Sequence, residues 1–209
     1  MVGRLNRTDV LNHLADTYRL GRYLEIGVQN PAQNFDKIRC AYKVSVDPDP
    51  GAKASFCMTS DEFFKDGFPR LFVNSSWETK FDLIFIDGLH QADQVRKDFS
   101  NACKELSPHG FIVLHDCNPM EQQHTIVPRP SARGHWNGDC YKVACEINQA
   151  IKFTVDVDNG CCVVRPSRGN FLFSAVHQID WTLFSKHRKD LLNLITWDEF
   201  TRRTLPHVQ

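Results

Sequence analysis

The chain carries no excess of either charge: 25 Lys and Arg stand against 25 Asp and Glu, and the pI is near 7.1. That removes a global electrostatic case for nucleic acid, or for an anionic membrane surface, as partner. No apolar run approaches the ~18–20 residues of a spanning helix. Met1–Thr8 is polar and lacks the apolar region of a signal peptide. There is no Cys-x-x-Cys pair among the 8 cysteines. Cys57, Cys161 and Cys162 sit in apolar, strand-like contexts and are expected to be reduced core thiols, which makes a cytoplasmic location the default. Internal repeats and low-complexity tracts are also missing. So is a Gly-x-Gly-x-x-Gly turn: Gly27 is followed by Val28-Gln29-Asn30-Pro31-Ala32-Gln33. A dinucleotide pyrophosphate needs those glycines at a helix N-terminus, so their absence argues against NAD.

What is present is an alternation of short strands with helices. Thr8 is placed to cap a helix from Asp9 to Tyr18 with Val10, Leu11 and Leu14 on one face. Tyr23–Ile26, Lys43–Val46 and Ala54–Met58 read as strands, with a short helix over Asn34–Arg39. Ser60 or Thr59 caps a further helix. Phe81–Ile86 and Phe111–Leu114 are apolar and rich in Ile, Val and Phe, as in strands covered on both faces. Gln91–Leu106 joins them as a helix. Such alternation indicates parallel βαβ units in an α/β domain. Cys117–Gly138 shows no periodicity and holds Pro119, Pro128 and Pro130, the signature of a functional or disordered loop. Asp139–Lys152 reads as a helix. Phe153–Val157 and Cys161–Arg165 read as a hairpin around Asp158-Asn159-Gly160. Trp181–Leu205 reads as two amphipathic helices. A length of 209 residues suits one domain.

Acids end the apolar strands. In an open parallel sheet the carboxyl ends of the strands form the ligand crevice. Glu25, Asp47, Asp87 and Asp116 all fall at such ends, and convergence of four is less expected by chance than of one. Gly27 lets a ligand approach the backbone. Glu25 can receive a polar or cationic ligand group, and Asp47, about 20 residues past Gly27, is placed to bind a ribose diol. Together they describe an adenosine-type pocket. Plainer roles stay open for three residues of this rim: Asp87 as a turn residue before Gly88, Asp116 as an Asx-turn acid, and His90 as a cap of the next helix. Asp82, at a strand start, is expected to be structural. In the run Gly134-His135-Trp136-Asn137-Gly138-Asp139, Trp136 can stack on a sugar or aromatic ring while His135 or Asp139 contacts hydroxyls. Alternatively Asp139 simply caps a helix.

Glu25-x-Gly27, Asp47, Ser60-Asp61 and the run Phe81-Asp82-Leu83-Ile84-Phe85-Ile86-Asp87-Gly88-Leu89-His90 together resemble the class I S-adenosylmethionine-dependent methyltransferases. Within them, the Ile-Asp-Gly-x-His run followed by a His/Asp-Asp pair at the fifth strand, here His115-Asp116, is similar to small metal-dependent sugar O-methyltransferases. The likeness spans about residues 20–165, leaving a helical tail over about 178–205. It implies a Rossmann-like, mostly parallel seven-stranded sheet of order 3-2-1-4-5-7-6 with an antiparallel last strand. It also implies S-adenosylmethionine as cofactor, with Glu25 and Gly27 at its methionine part, Asp47 on the ribose, Ser60 and Asp61 near the adenine, and Asp87 lining the same site. His90 would be the catalytic base beside Asp87. Magnesium or another divalent ion would be held by Asp87, Asp116 and His115. A histidine at position 115, where a carboxylate is usual, favours a softer ion than magnesium, and Asn118 offers a replacement oxygen.

The expected activity is O-methyl transfer to a hydroxyl of a sugar, glycan or small polyol, with no nucleic acid and no membrane span involved and self-association open. The alternative from another class is a methyltransferase-like module that binds a partner without catalysis.

Overall fold

The computed structural model describes residues 4–71, 80–130, 134–148, 151–166, 173 and 179–204. The core is one seven-stranded sheet. Its strands are β1 (Arg22–Ile26), β2 (Tyr42–Val46), β3 (Phe81–Ile86), β4 (Leu106–Leu114), β5 (Lys152–Val155), β6 (Cys161–Val164) and β7 (Leu194–Ile195), in the order β2-β1-β3-β4-β6-β5-β7. β1 to β4 run parallel. β6 lies antiparallel to both β4 and β5, and β5 pairs parallel with β7. This is a Rossmann-like arrangement in which β6 is the one strand antiparallel to both its neighbours. One detail differs from expectation. Ala54–Met58 contributes only the single parallel bridge Val46–Phe56. A turn over Pro50–Ala52, Lys53 in the left-handed region (φ 50°) and the helix cap at Thr59 leave the chain no length for a strand there. The seventh strand is instead β7, two residues long and without a sequence signal.

Alternation along the buried strands splits the core into two faces. Tyr23, Leu83, Phe85, Phe111 and Val113 face α1 (Arg7–Tyr18) and α7 (Trp197–Arg203), against Val10, Leu11, Leu14 and Phe200. Leu24, Ile84, Ile86, Ile112 and Leu114 face α4 (Ala92–Glu105), α5 (Cys140–Glu146) and α6 (Trp181–Leu192). Burial on this scale, at about 25 cal/mol per Å² of apolar surface, drives the sandwich together. No helix among the described residues is long and apolar enough to cross a membrane.

Local differences have local causes. α1 begins at Arg7 because Asn6, not Thr8, is its cap: the Asn6 side chain accepts from Thr8 N at 2.9 Å and Asp9 reaches back to Asn6 N at 2.9 Å. Thr8 is thereby freed to donate to Asn34 Oδ1 at 2.8 Å. Asn34–Arg39 holds only a short turn over Phe35–Lys37. The helix beginning at α2 (Ser60–Glu62) passes through a π turn over Phe63–Gly67 into α3 (Phe68–Arg70). The expected helix over Asp139–Lys152 stops at Glu146, where Ile147 is extended, and residues 149–150 lie outside those described. The tail helices are present, with Leu205 outside the described residues. Cys57 is exposed rather than in the core, while Cys161 and Cys162 are buried. Asp82 is structural as expected, accepting from Gly21 N at 3.1 Å and Arg22 N at 3.0 Å.

Candidate active site

One cleft of about 700 Å³ opens at the carboxyl ends of β1, β2 and β3. Its floor is the turn after β1. Gly27 has φ +82°, and a Cβ there would meet the Asp87 carbonyl oxygen at 2.2 Å, so only glycine fits. Asp47 is held by three amides: Oδ2 accepts from Val28 N at 2.8 Å and Gln29 N at 2.9 Å, and Oδ1 from Asp49 N at 2.8 Å. A carboxylate offers about four lone-pair positions, so Asp47 braces the loop and keeps acceptor capacity toward the cleft. Glu25 is buried and accepts on Oε2 from Tyr23 Oη at 2.6 Å and Asn34 Nδ2 at 2.9 Å. Burial pushes its carboxyl up to about 7, against the opposing pull of the Tyr23 and Asn34 hydrogen bonds. Ser60 and Asp61, on the first turn of α2, also line the cleft. Gln94 Nε2 ties them together, at 3.2 Å from Ser60 Oγ and 3.0 Å from Asp61 Oδ1.

Between β3 and β4 lies a cluster of acids and imidazoles. His90 Nε2 is 3.4 Å from Asp87 Oδ1, and its Nδ1 is 3.1 Å from Asp116 Oδ2. That second contact is close but not aligned as a hydrogen bond, so Nδ1 is left without a hydrogen-bond partner. Asp116 sits in the left-handed region, at φ +56°. His115 Nδ1 lies 3.1 Å from Asp87 Oδ1 and 3.4 Å from Asp116 Oδ2, and its Nε2 is 3.4 Å from Asp158 Oδ2. Burial opposes charge on His115, but Asp87 and Asp116 outweigh it and push the imidazole well above the ordinary histidine range. Conversely, burial would raise Asp87, yet His115, His90 and Arg7 hold it well below the usual carboxylate range. His90 is likewise raised, its burial outweighed by Asp87 and Asp116.

The structure thus brings Asp87, His90 and Asp116 together, with one ligand atom from each within 4.8 Å of the others. His115 is not of that set; it sits among the same acids as their counter-cation. Asn118 Nδ2 donates to Asp156 Oδ1 at 3.0 Å, while its Oδ1 is buried without a hydrogen-bond partner. Two residues without a sequence signal complete the cluster. Arg7 Nη1 is 3.4 Å from Asp87 Oδ2 and 3.7 Å from Asp158 Oδ2. It is also 3.3 Å from His115 Nδ1 and 3.2 Å from His115 Nε2. Asp158 belongs to the β5–β6 hairpin turn and also accepts from Arg7 N at 3.1 Å.

The segment 136–139 is a clamp on this cluster. The Trp136 ring stacks on His90 at 5.1 Å between centroids, 7° from parallel. Asn137 Nδ2 donates to Asp116 Oδ1 at 2.6 Å. Gly138, at φ +65°, leaves room for the His90 carbonyl, which a Cβ would meet at 1.8 Å. Asp139 N donates to His90 O at 3.2 Å, while Asp139 Oδ1 accepts from Ala92 N at 2.6 Å at the start of α4. Of the residues expected at the acceptor, Trp136 lines the cleft. Asp139 is engaged by α4 and by Lys142 Nζ at 2.9 Å. His135 packs edge-on to His124 at 4.7 Å.

Residues 32–117 match the family model described as a methyltransferase domain. The match covers less than half of the chain. The matched span takes in Asp47, Ser60, Asp61, Asp87, His90 and Asp116; Glu25 and Gly27 precede it. Among solved structures, the chain is similar to the Podospora anserina methyltransferase PaMTH1 bound to SAH, at 20% identity over 79% of each chain with a TM-score of 0.49. It is also similar to an SAH complex of an O-methyltransferase from Bacillus cereus, at 14% identity over 79% of this chain and 84% of that one, with a TM-score of 0.47. The MycE methyltransferase of the mycinamycin pathway, in complex with Mg and SAH, aligns at 16% identity over 83% of this chain and 53% of its own, with a TM-score of 0.43. These likenesses are remote. No curated protein sequence matches at a significant level.

Proposed function

We propose that the chain transfers a methyl group from S-adenosylmethionine to a hydroxyl of a sugar or small polyol. The observation that carries this is a single cleft lined at once by Glu25, Gly27, Asp47, Asp61, Asp87 and His90. Its volume of about 700 Å³ falls in the range of small-molecule sites. The acids suit a ligand bearing an ammonium and a sulfonium. Gly27 keeps the floor open, Asp47 presents an oxygen to the ribose, Ser60 and Asp61 flank the adenine, and Glu25 faces the methionine end.

S-adenosylmethionine supplies a methyl on a sulfonium, an excellent leaving group: the carbon–sulfur bond breaks, an oxygen–carbon bond forms, and sulfur keeps the electron pair. The protein therefore has two tasks, placing the acceptor oxygen and taking its proton. His90 takes the proton. Asp87 and Asp116 raise its basicity and then stabilise the imidazolium. The Trp136 stack and the Asp139 contact to the His90 carbonyl hold the ring in place.

A second reading is favoured by one observation, the His90 Nδ1 that lacks a hydrogen-bond partner beside two carboxylates. Asp87, His90 and Asp116 would hold a divalent ion there, and the ion would acidify the acceptor hydroxyl. One imidazole and two carboxylates suit manganese or zinc better than magnesium.

Calorimetry with S-adenosylhomocysteine and methyl transfer to a panel of glycosides test both. We expect micromolar binding of the product. His90→Ala should lower turnover by roughly 10²–10⁴-fold with that binding preserved, the range for loss of a general base. Absence of binding at millimolar product removes the enzyme. Turnover abolished by chelation and restored by manganese moves His90 from base to ligand.

A further inference from the structure

The cleft has two ends of opposite character. The end toward β1 and β2 is acidic, lined by Glu25, Asp47, Asp49 and Asp61. The other end, past His90, carries Arg129 and Trp136. The Arg129 guanidinium lies over the Trp136 ring, with Cζ 5.3 Å from the centroid. Among the described residues no carboxylate makes an ion pair with Arg129, whereas Arg7, the other arginine of the cleft, is bound to Asp87 and Asp158. Prolines on both sides of Arg129 restrict its backbone. Trp136 is itself fixed by its stack on His90 and by Nε1 donating to Ile126 O at 2.7 Å. Arg129 is thus an exposed cation on a rigid aromatic support, one ring away from the proposed base. Leu89, which also lines the cleft, is 51% exposed, and Ile126, whose carbonyl anchors Trp136, is 50% exposed. A guanidinium in such a setting is the protein's preferred grip for phosphate and carboxylate, because its fork matches two oxygens at once.

We infer that the acceptor is an anion-bearing molecule, a sugar or polyol carrying a phosphate or a carboxylate, whose charged group is held by Arg129 while a hydroxyl reaches inward to His90. The inference rests on the proposed methyl transfer and names its substrate class. Charge then sorts the two ends of the acceptor. The acidic interior repels the anionic group, the rim attracts it, and the neutral hydroxyl is left facing the imidazole. Arg129 is a specificity-determining residue on this account, with no part in the proton transfer.

The test is calorimetric titration of the full chain, with and without S-adenosylhomocysteine, using glucose 1-phosphate, glucuronate and methyl glucoside as probes. We expect at least one anionic probe to bind tenfold or more tighter than methyl glucoside at 0.15 M salt. Arg129→Gln should erase that preference, Arg129→Lys should keep part of it, and neither should change product affinity. Preference for only the phosphate or only the carboxylate probe identifies which anion is read. Equal binding of charged and neutral probes, no binding of either anion at 10 mM, or a preference that survives Arg129→Gln overturns the inference. Failure to bind S-adenosylhomocysteine while the anion preference stands overturns the methyl-transfer reading instead.

Discussion

Glu25 shows how one buried group ties chemistry to stability. Its carboxyl sits near 7 in the fold against 4.5 for an unperturbed glutamate, because burial disfavours the charged form. A carboxyl raised in the folded state contributes stability that is complete below about 4.5 and is lost as pH climbs through about 7. The loss approaches about 3 kcal/mol, at about 1.4 kcal/mol per pH unit. Glu25→Gln removes the titration. Chemical denaturation at pH 5 and pH 8 should therefore show the variant gaining on the wild type by about 2–3 kcal/mol at the higher pH; parallel pH profiles would contradict the assignment. The strand-end acids were legible in the sequence because hydrophobic runs announce where a parallel strand stops. Asn34, Arg7 and Asp158 were not. Nothing local distinguishes an asparagine that hydrogen-bonds a buried glutamate from one in an ordinary turn, and Asp158 was hidden by its good fit to a hairpin.

Among the elements, strongly periodic segments were legible and short ones were not. α4 lies within one residue of expectation at each end, with Val95, Phe99 and Ala102 buried as its pattern requires. β7, only two residues long, has no pattern to display; it exists because β5 offers an unpaired edge. The run Gly134–Asp139, expected at the acceptor, also braces His90 through Trp136, Gly138 and Asp139. Gly138→Ala would force a methyl into the His90 carbonyl. We expect turnover to fall by about 10²-fold, the scale of a 1 Å misplacement, with product affinity preserved. Asp139→Ala removes the acceptor for Ala92 N and should cost about 1 kcal/mol, as for other lost caps. Steady-state kinetics beside urea denaturation separate the two effects. Wild-type turnover in Gly138→Ala would dismiss the clamp.

For the molecule as a whole, Arg7 joins parts far apart in the chain. It reaches from the first helix to Asp87 after β3, to His115 after β4 and to the Asp158 turn. Its removal leaves three neighbouring carboxylates with His115 and His90 as the nearest cations. We expect Arg7→Ala to lower stability by about 2 kcal/mol, less than for a fully buried pair because the side chain is 25% exposed. Arg39, whose pair with Asp16 is more than half exposed on both sides, should be dispensable. Equal effects of the two substitutions in guanidinium denaturation would show that the Arg7 cluster carries no special weight.

The sequence alone determined the α/β class, the parallel strands that end in acids and the rim on which Glu25, Asp47, Asp87 and Asp116 gather, since hydrophobic period and strand length are local properties. Only the tertiary structure decided which groups face one another. It set His90 beside Asp87 and Asp116 with His115 among the same acids, tied Asp139 to the start of α4, and made Arg7 a partner of Asp87. Those outcomes depend on distances between segments up to 151 positions apart, and such distances are set by how the sheet packs its layers.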